Sequence, residues 1–392
     1  MTHTIAASVV IPTFNRKHVL RNTLLSLKRQ SYPTAHYQII IVDDGSTDGT
    51  EEYVKSLNID NLLFIKNTHG GPAVARNTGW KAADGNLIIF CDSDFIVPYT
   101  YIENHVIRHE ENQYLALSGM GHWHYILSYN FKNLWKQKRD LKQALKNPII
   151  KRRVKTSRDG HLLNESDIIH NRLQPFLYCP PLFKEWVSLF EEIINTYGEE
   201  QKNFHLPWLT FCTGNVSIRK SHLENLDGFD ELLREHEDWE LGYRIYLDGG
   251  TFHFSKDVEA YQQLTPPSNK NRREQAHYSY QYLCQKHPSI DIWLTVLLKN
   301  NIVSFVELST ILDQHRQIEN KSSHFSTLSH HFEQMILLYM KGNIPPLFDS
   351  ITQTTHSYDI LKAREELNHA GNFKEWLYAF DYLAYDLKYI KS

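Results

Sequence analysis

The chain predicts an α/β fold, with a mostly parallel, Rossmann-like central sheet carrying helices on both faces and a helical region at the C-terminal end. Three observations carry this. Short β-branched apolar runs alternate with helix-spaced segments from Ala7 to Asp94. Polar and acidic residues gather at the ends of those runs. Beyond Pro266 and Pro267 the pattern is helical to the end of the chain.

Ala7–Ile11 is apolar, short and β-branched, as a buried strand requires, and Leu20, Leu24 and Leu27 then recur at helical spacing. Gln38–Asp44, QIIIVDD, is a second strand, after which Ser46, Thr47 and Asp48 offer N-caps for a helix through about Leu57. Leu62–Ile65 is a third strand. Gly70 and Gly71 precede the helix of PAVARNTGWKAA, and Asn86–Phe90 is a fourth strand, ending at Cys91-Asp92-Ser93-Asp94. In such sheets ligands bind at the carboxyl ends of the strands. Asn15 and Arg16, Asp43 and Asp44, and Asp92 and Asp94 collect there. Strand-like sequence returns at Leu209–Arg219. Glu237–Leu247 reads as a helix stopped by Gly249 and Gly250, and Thr251–Leu264 contains another strand.

The chain has 392 residues, which suggests about two domains and ample core. A net charge of −3 argues against a dedicated nucleic-acid binder. Cys91, Cys179, Cys212 and Cys284 lie far apart with no CxxC, as expected of reduced thiols in a cytoplasmic protein. The first strand begins almost at once, so a signal peptide is not expected, and no apolar run approaches a bilayer span. Between Lys132 and Arg158, eleven Lys or Arg stand against the single acid Asp140. Such a segment is usually a solvated face. Its sharper reading is peripheral contact with an anionic membrane or a phosphate-bearing acceptor.

Asp92 and Asp94 at a strand end suit a hard divalent cation, Mg²⁺ or Mn²⁺, on a leaving diphosphate. A DxD alone is common in turns, and the position after an apolar strand is what lifts it. Asp43 and Asp44 exceed what a turn needs, and a carboxylate there can accept from a base N–H. Gly70 and Gly71 permit close backbone approach, the following helix N-terminus favours an anion, and Arg76 adds a cation where a surface ion pair is an equal alternative. Thr213, Gly214 and Asn215 are small or polar residues on the strand-like run. Glu237 and Asp238 open a helix, where acids commonly serve only the dipole; the alternative is a general base. Among 22 histidines, His122-Trp123-His124 is the one notable cluster, and it is more readily surface than acceptor cleft.

Taken together, VVIPTFNR, IIIVDDGSTD, GGPAVARNTGWKAADGNLIIFCDSD, FCTGNVSIRK, GFDE and EDWELGYRIYLDGG resemble the family-two glycosyltransferases of GT-A fold, over roughly residues 6–120 and 207–264. The later segment also resembles galactosyl- and N-acetylgalactosaminyltransferases, which use UDP-sugars. The resemblance implies transfer of a hexose or N-acetylhexosamine from a nucleotide-diphosphate sugar, a UDP-sugar favoured, by a metal-dependent inverting displacement. It implies a catalytic domain over 1–265, with a nucleotide-sugar half 1–120, a basic insertion 121–206 and an acceptor half 207–265, then a helical region 266–392. It assigns Pro12, Thr13, Phe14 and Asp44 to the nucleoside, and Arg76 to the diphosphate. Asp92 and Ser93 go to the donor, with Asp92 and Asp94 as metal ligands. Gly214 and Asn215 line the donor site, and Asp238 is the base with Glu237 second. Relatives often add a histidine as third metal ligand after the acidic helix. Here Tyr261-Gln262-Gln263 occupies that region and His253 lies earlier, so either a glutamine serves, more weakly, through its carbonyl or the site is looser and completed by donor phosphates and water. A nucleotidyltransferase would also use paired aspartates and a metal but would not need the EDWE segment, and intact acids argue against a non-catalytic sugar-nucleotide-binding protein.

Overall fold

The computed structural model describes residues 4–110, 112–119, 124–130, 142–265, 271–321, 323–341, 354–355 and 357–389. The chain forms two compact units. The first comprises Met1–Ser188, Glu199–Gln201 and Pro207–Tyr280; the second comprises Leu189–Gly198, Lys202–Leu206 and Gln281–Ser392.

The first unit is built on a seven-stranded sheet of β1 (Ala7–Thr13), β2 (Tyr37–Asp43), β3 (Leu62–Lys66), β4 (Leu87–Cys91), β6 (Leu115–Gly119), β8 (Asn215–Arg219) and β9 (Thr251–Ser255). Their order across the sheet is β3-β2-β1-β4-β8-β6-β9. β1, β2, β3 and β4 run parallel, β8 is antiparallel to both β4 and β6, and β9 is parallel to β6. Every residue of β2 and β4 is buried, which is why those runs are continuously apolar rather than alternating. The segment expected as strand from Leu209 begins instead as a 3₁₀ turn, Pro207–Thr210, and extended pairing starts only at Asn215. Pro207 cannot donate to a ladder, and Thr210 turns its hydroxyl back onto the Pro207 carbonyl at 2.7 Å. The expected strand within Thr251–Leu264 is two strands, β9 and β10 (Tyr261–Gln263). β10 joins β5 (Phe95–Ile96) and β7 (His124–Ile126) in a small second sheet, order β5-β10-β7.

The turns after β1 and β2 are laced together. Asn15 adopts φ 52°. Its backbone N–H donates to Ser46 Oγ at 2.8 Å, and its side-chain oxygen accepts from Thr47 N at 2.9 Å. Asp48 accepts from Lys17 N at 3.0 Å and Thr50 N at 3.2 Å, so one carboxylate caps two helices, Lys17–Leu27 and Thr50–Ser56. This accounts for most of GSTD as scaffolding. His105 and His109 are buried against Ser217 Oγ, each at 2.8 Å, and burial pushes both down to about 3, so they are neutral core residues.

Helices make up the second unit. His315 is wholly buried there. Trp376 Nε1 donates to its Nδ1 at 3.3 Å, which leaves Nε2–H to donate to Glu333 at 3.3 Å. With Glu319 this is the one His-carboxylate grouping among the described residues of metal-holding dimensions. The Trp376 donor fixes the tautomer against a metal at Nε2. No helix among the described residues is long and apolar enough to cross a membrane.

Candidate active site

The end of β4 and the start of the helix Glu237–Leu247 bring the acids together around Arg76. Arg76, on the helix Pro72–Lys81, is 4% exposed; its Nη1 donates to Glu237 Oε1 at 2.7 Å and its Nη2 to Asp92 Oδ1 at 2.9 Å. The expected ion pair is therefore not on the surface. One buried guanidinium fixes the DSD turn to the first turn of the helix Glu237–Leu247. Both of its Nη groups are engaged by carboxylates. The next residue completes the clamp. Asn77 donates to the Phe229 carbonyl and to Glu231, each at 2.9 Å, and accepts from Phe229 N at 2.9 Å. Arg244 closes the same turn from behind, donating to the Gly228 carbonyl at 2.6 Å and to Glu240 at 2.7 Å. The ARN, GFDE and EDWE motifs are thus one hydrogen-bonded assembly.

Asp238 is half-buried and, unlike Glu237, has no cation on its carboxylate among the described residues; it accepts only from Trp239 N at 2.8 Å. Burial and the charge of Glu237 push its pKa up to about 7. His236 precedes the pair in the left-handed region, φ 63°, and stacks on Trp239 at 5.0 Å, setting the angle at which the acids leave the turn.

Asp94 is raised as well, by burial first and then by Asp92; Arg16 and a hydrogen bond from the Gln262 side chain act the other way. A carboxylate that feels the charge of a second one two residues away, with an amide bonded to it, offers hard oxygens of the kind a divalent cation takes. Gln263 is excluded as a ligand: its Oε1 accepts from Asn22 Nδ2 at 2.8 Å and its Nε2 donates to the Val19 carbonyl at 2.9 Å. Gln262 is therefore the member of the pair that reaches the acids. Ser93 is buried, and its carbonyl accepts from Thr23 Oγ1 at 2.8 Å. Gly214 lies against Asp92, where a Cβ would come 3.3 Å from Oδ2, and its carbonyl accepts from Asp92 N at 3.0 Å. Asn215 is expected at the donor, yet its amide is committed internally. Oδ1 accepts from Tyr101 OH and Nδ2 donates to the Val258 carbonyl, both at 2.7 Å. Its part is to hold β8 in place.

At the β1 and β2 ends, Asp44 is buried and accepts from Gly70 N at 2.7 Å and Gly71 N at 2.8 Å, with His69 Nδ1 at 3.0 Å. Phe14 stacks on the exposed His69 ring, centroids 4.3 Å apart. His69 is a site residue that reading the sequence alone passes over; its only signal is its place immediately before the two glycines. Thr13 Oγ1 and Asp43 Oδ2 are buried beside each other in register, with no hydrogen-bond partner among the described residues. Pro12 is half-buried in β1 and sets the backbone rather than offering a polar group. A cavity of about 680 Å³ opens instead among Tyr37, Asn61, Leu62 and Asp84, at the start of the strands, and none of Asp44, Asp92, Asp94, Glu237 and Asp238 lines it. His122 and Trp123 lie outside the described residues.

Residues 8–161 match the family model for glycosyl transferase family 2. The chain is 28% identical to an uncharacterized glycosyltransferase, YfnE, of Bacillus subtilis, over 97% of this chain and 98% of that protein. It is 26% identical to validoxylamine A glucosyltransferase of Streptomyces hygroscopicus over 74% of this chain and 63% of that one. It is 27% identical to chondroitin synthase of Escherichia coli over 72% of this chain and 38% of that one. It thus spans nearly all of one relative and less than two thirds of the other two. A crystal structure of Staphylococcus aureus TarS 1–349 aligns over 96% of this chain and 90% of that one, with TM-score 0.47 and 15% identity. Residues 8–161 thus match glycosyl transferase family 2, and along nearly its whole length the chain is similar to a glycosyltransferase.

Proposed function

We propose that the protein transfers a hexose or N-acetylhexosamine from a nucleotide-diphosphate sugar, a UDP-sugar favoured, to an acceptor hydroxyl by a single inverting displacement. The observation that supports this best is the Arg76 bridge. It gathers Asp92 and Glu237 around one buried cation and leaves Asp238 without one, the arrangement a general base needs. The glucosyl- and N-acetylglucosaminyl- names of relatives such as the S. hygroscopicus enzyme and the S. aureus poly(ribitol-phosphate) β-N-acetylglucosaminyltransferase agree with the sugar class. The likeness of the EDWE segment to UDP-sugar enzymes favours the nucleotide.

In this reading Phe14 and His69 offer stacking surface to the base, and Thr13 and the Asp43–Asp44 edge offer it polar partners. Asp92 and Asp94, with the Gln262 amide oxygen, would hold Mg²⁺ or Mn²⁺. The cation, when bound, neutralises the departing diphosphate. Asp238 accepts the proton of the attacking hydroxyl as the new glycosidic C–O bond forms and the bond to the diphosphate oxygen breaks. The test is a panel of nucleotide-sugars assayed for slow donor hydrolysis with Mg²⁺ or Mn²⁺. Asp94→Ala is expected to abolish turnover with the circular dichroism spectrum unchanged, and full activity in EDTA or in that variant would overturn the metal assignment.

We also infer reversible contact of the basic segment with anionic surfaces. Residues 132–141 lie outside the described residues. In the remainder, Lys151, Arg152 and Lys155 are exposed on the helix Pro148–Thr156, whereas Arg153 is engaged by Asp167 at 2.9 Å. The three exposed cations of this helix, without an ion pair among the described residues, at about 1 kcal/mol each support weak, salt-sensitive binding. Equal recovery in the supernatant with anionic and neutral vesicles, at low and high salt, would exclude it.

A further inference from the structure

His18 stacks on Tyr129 at 4.7 Å, and His161 meets the Tyr129 ring edge-on at 5.0 Å and the His18 ring at 6.0 Å. The family-wide motifs do not require this trio. An antiparallel bridge joins Tyr129 to His161, and Asn130 N donates to the Gly160 carbonyl at 2.8 Å. Gly160 has φ +87°, and a Cβ there would sit 2.7 Å from the Tyr129 ring, so only glycine lets the tyrosine lie across the turn. The cluster is therefore built, not incidental.

Its place is fixed by the helix Lys17–Leu27. Thr23 bonds the Ser93 carbonyl and Asn22 bonds Gln263, both at 2.8 Å, which straps the helix to the DSD turn and to β10. Its opening therefore carries Arg16, His18 and Arg21 to the edge of the sheet where Asp94 stands, and the charge of Arg16 is felt at Asp94. Neither Arg16 nor Arg21 has a carboxylate within ion-pair distance among the described residues. His161 Nδ1 is buried with no hydrogen-bond partner among them. Burial, then the positive charges of Arg21 and His18, hold His161 below its ordinary range; the opposing acid is Asp159, already accepting from His161 N and Ser157 Oγ, each at 3.1 Å.

A neutral sugar would need the aromatic surface but not the cations. Guanidinium and imidazole N–H donors in one neighbourhood suit a tetrahedral oxyanion. We propose that His18, Tyr129 and His161, with Arg16 and Arg21, form an acceptor subsite for a phosphate group, so that the acceptor is a phosphorylated polyol or sugar. This rests on the transferase reading above and assigns its acceptor class.

The test titrates the full chain with glycerol 3-phosphate and with glycerol by calorimetry, with and without UDP and Mg²⁺. Glycerol 3-phosphate is expected to bind saturably in both, and glycerol in neither. Arg21→Gln, and Arg21→Gln combined with His161→Gln, are expected to weaken binding by about tenfold or more. Lys81→Gln with Lys256→Gln, both exposed and given no part in any site, is expected to bind as wild type. No saturable binding, displacement by UDP, or an equal loss in the Lys81/Lys256 pair would each overturn the subsite. Arg21 is half-exposed, so its single variant carries the test if His161→Gln fails to fold. Donor hydrolysis contains no acceptor: a wild-type chain that hydrolyses no nucleotide-sugar yet binds the phosphate would sink the transferase reading and leave the subsite standing.

Discussion

At the scale of single residues, the site turns on how unequally its three acids are treated. Asp92 and Glu237 share Arg76, while Asp238 accepts only from Trp239 N among the described residues. Asp238→Asn should lower turnover by about 10²- to 10⁴-fold while donor affinity persists. Glu237→Gln should cost less catalytically and more in stability, because it leaves Arg76 with one partner. Should Asp238→Asn transfer normally and Glu237→Gln fail, the base is Glu237. The pH profile gives an independent reading. Burial raises Asp238 to about 7, and a base works only when unprotonated, so kcat should climb as pH rises through about 7. Stability runs the opposite way. The unfolded carboxyl titrates near its ordinary 3.8, so between there and about 7 the folded state binds more protons. This group's contribution therefore falls as pH rises across that window. A flat kcat profile from pH 6 to 8 with wild-type folding would remove Asp238 from the base role.

At the scale of elements, the glycine-rich turn before the helix Pro72–Lys81 does something other than wait for an anion. Gly71 sits at φ +93°, and with Gly70 it directs two backbone N–H groups at the Asp44 carboxylate, while Arg234 occupies the space a side chain would take and donates to the Gly70 carbonyl. Gly71→Ala should therefore destabilise by about 1–3 kcal/mol and loosen Asp44, weakening nucleotide binding. Thermal unfolding with and without UDP measures both, and an unchanged midpoint with unchanged UDP shift would refute the clamp. The parallel strands were legible because each is buried on both faces and so reads as an unbroken apolar run. The acids at their ends were legible because two successive carboxylates exceed any turn's needs. What the linear pattern hid is partnership across distance. Arg76 and Glu237 are 161 residues apart, and nothing local distinguishes an arginine that meets a phosphate from one that meets a carboxylate. The amide of Asn215 is hidden for the same reason, since Val258 and Tyr101 are its neighbours only in space. The failed strand at Leu209 is a local error of another kind: apolar content outweighed the proline that opens the segment.

At the scale of the whole molecule, the two units do not divide at one point in the chain. The second unit takes Leu189–Gly198 and Lys202–Leu206 from the middle of the sequence as well as everything after Tyr280. Composition cannot reveal this, because Phe190, Ile193, Phe204 and Leu206 look like any other apolar residues near a helix. In the fold they are each at most 4% exposed, and Phe190 packs on Phe305 at 5.1 Å. A cut near Pro266, where the sequence changes character, or after Tyr280, where the first unit ends, would remove Phe305 and the rest of their unit's core. Each buried side chain of this size is worth about 1.5–3 kcal/mol when kept from water. Four exposed together would make a patch of the kind that drives association. The fragment 1–280 is therefore expected to aggregate or bind a hydrophobic dye strongly, even though it retains every catalytic residue. The fragment with Phe190→Ser and Ile193→Ser should recover some solubility, because it removes the apolar surface rather than restoring the missing partner. Light scattering after size exclusion decides the matter: a monodisperse, dye-silent wild-type fragment 1–280 would show that the mid-chain segment needs no helical partner, and the division into units would have to be redrawn.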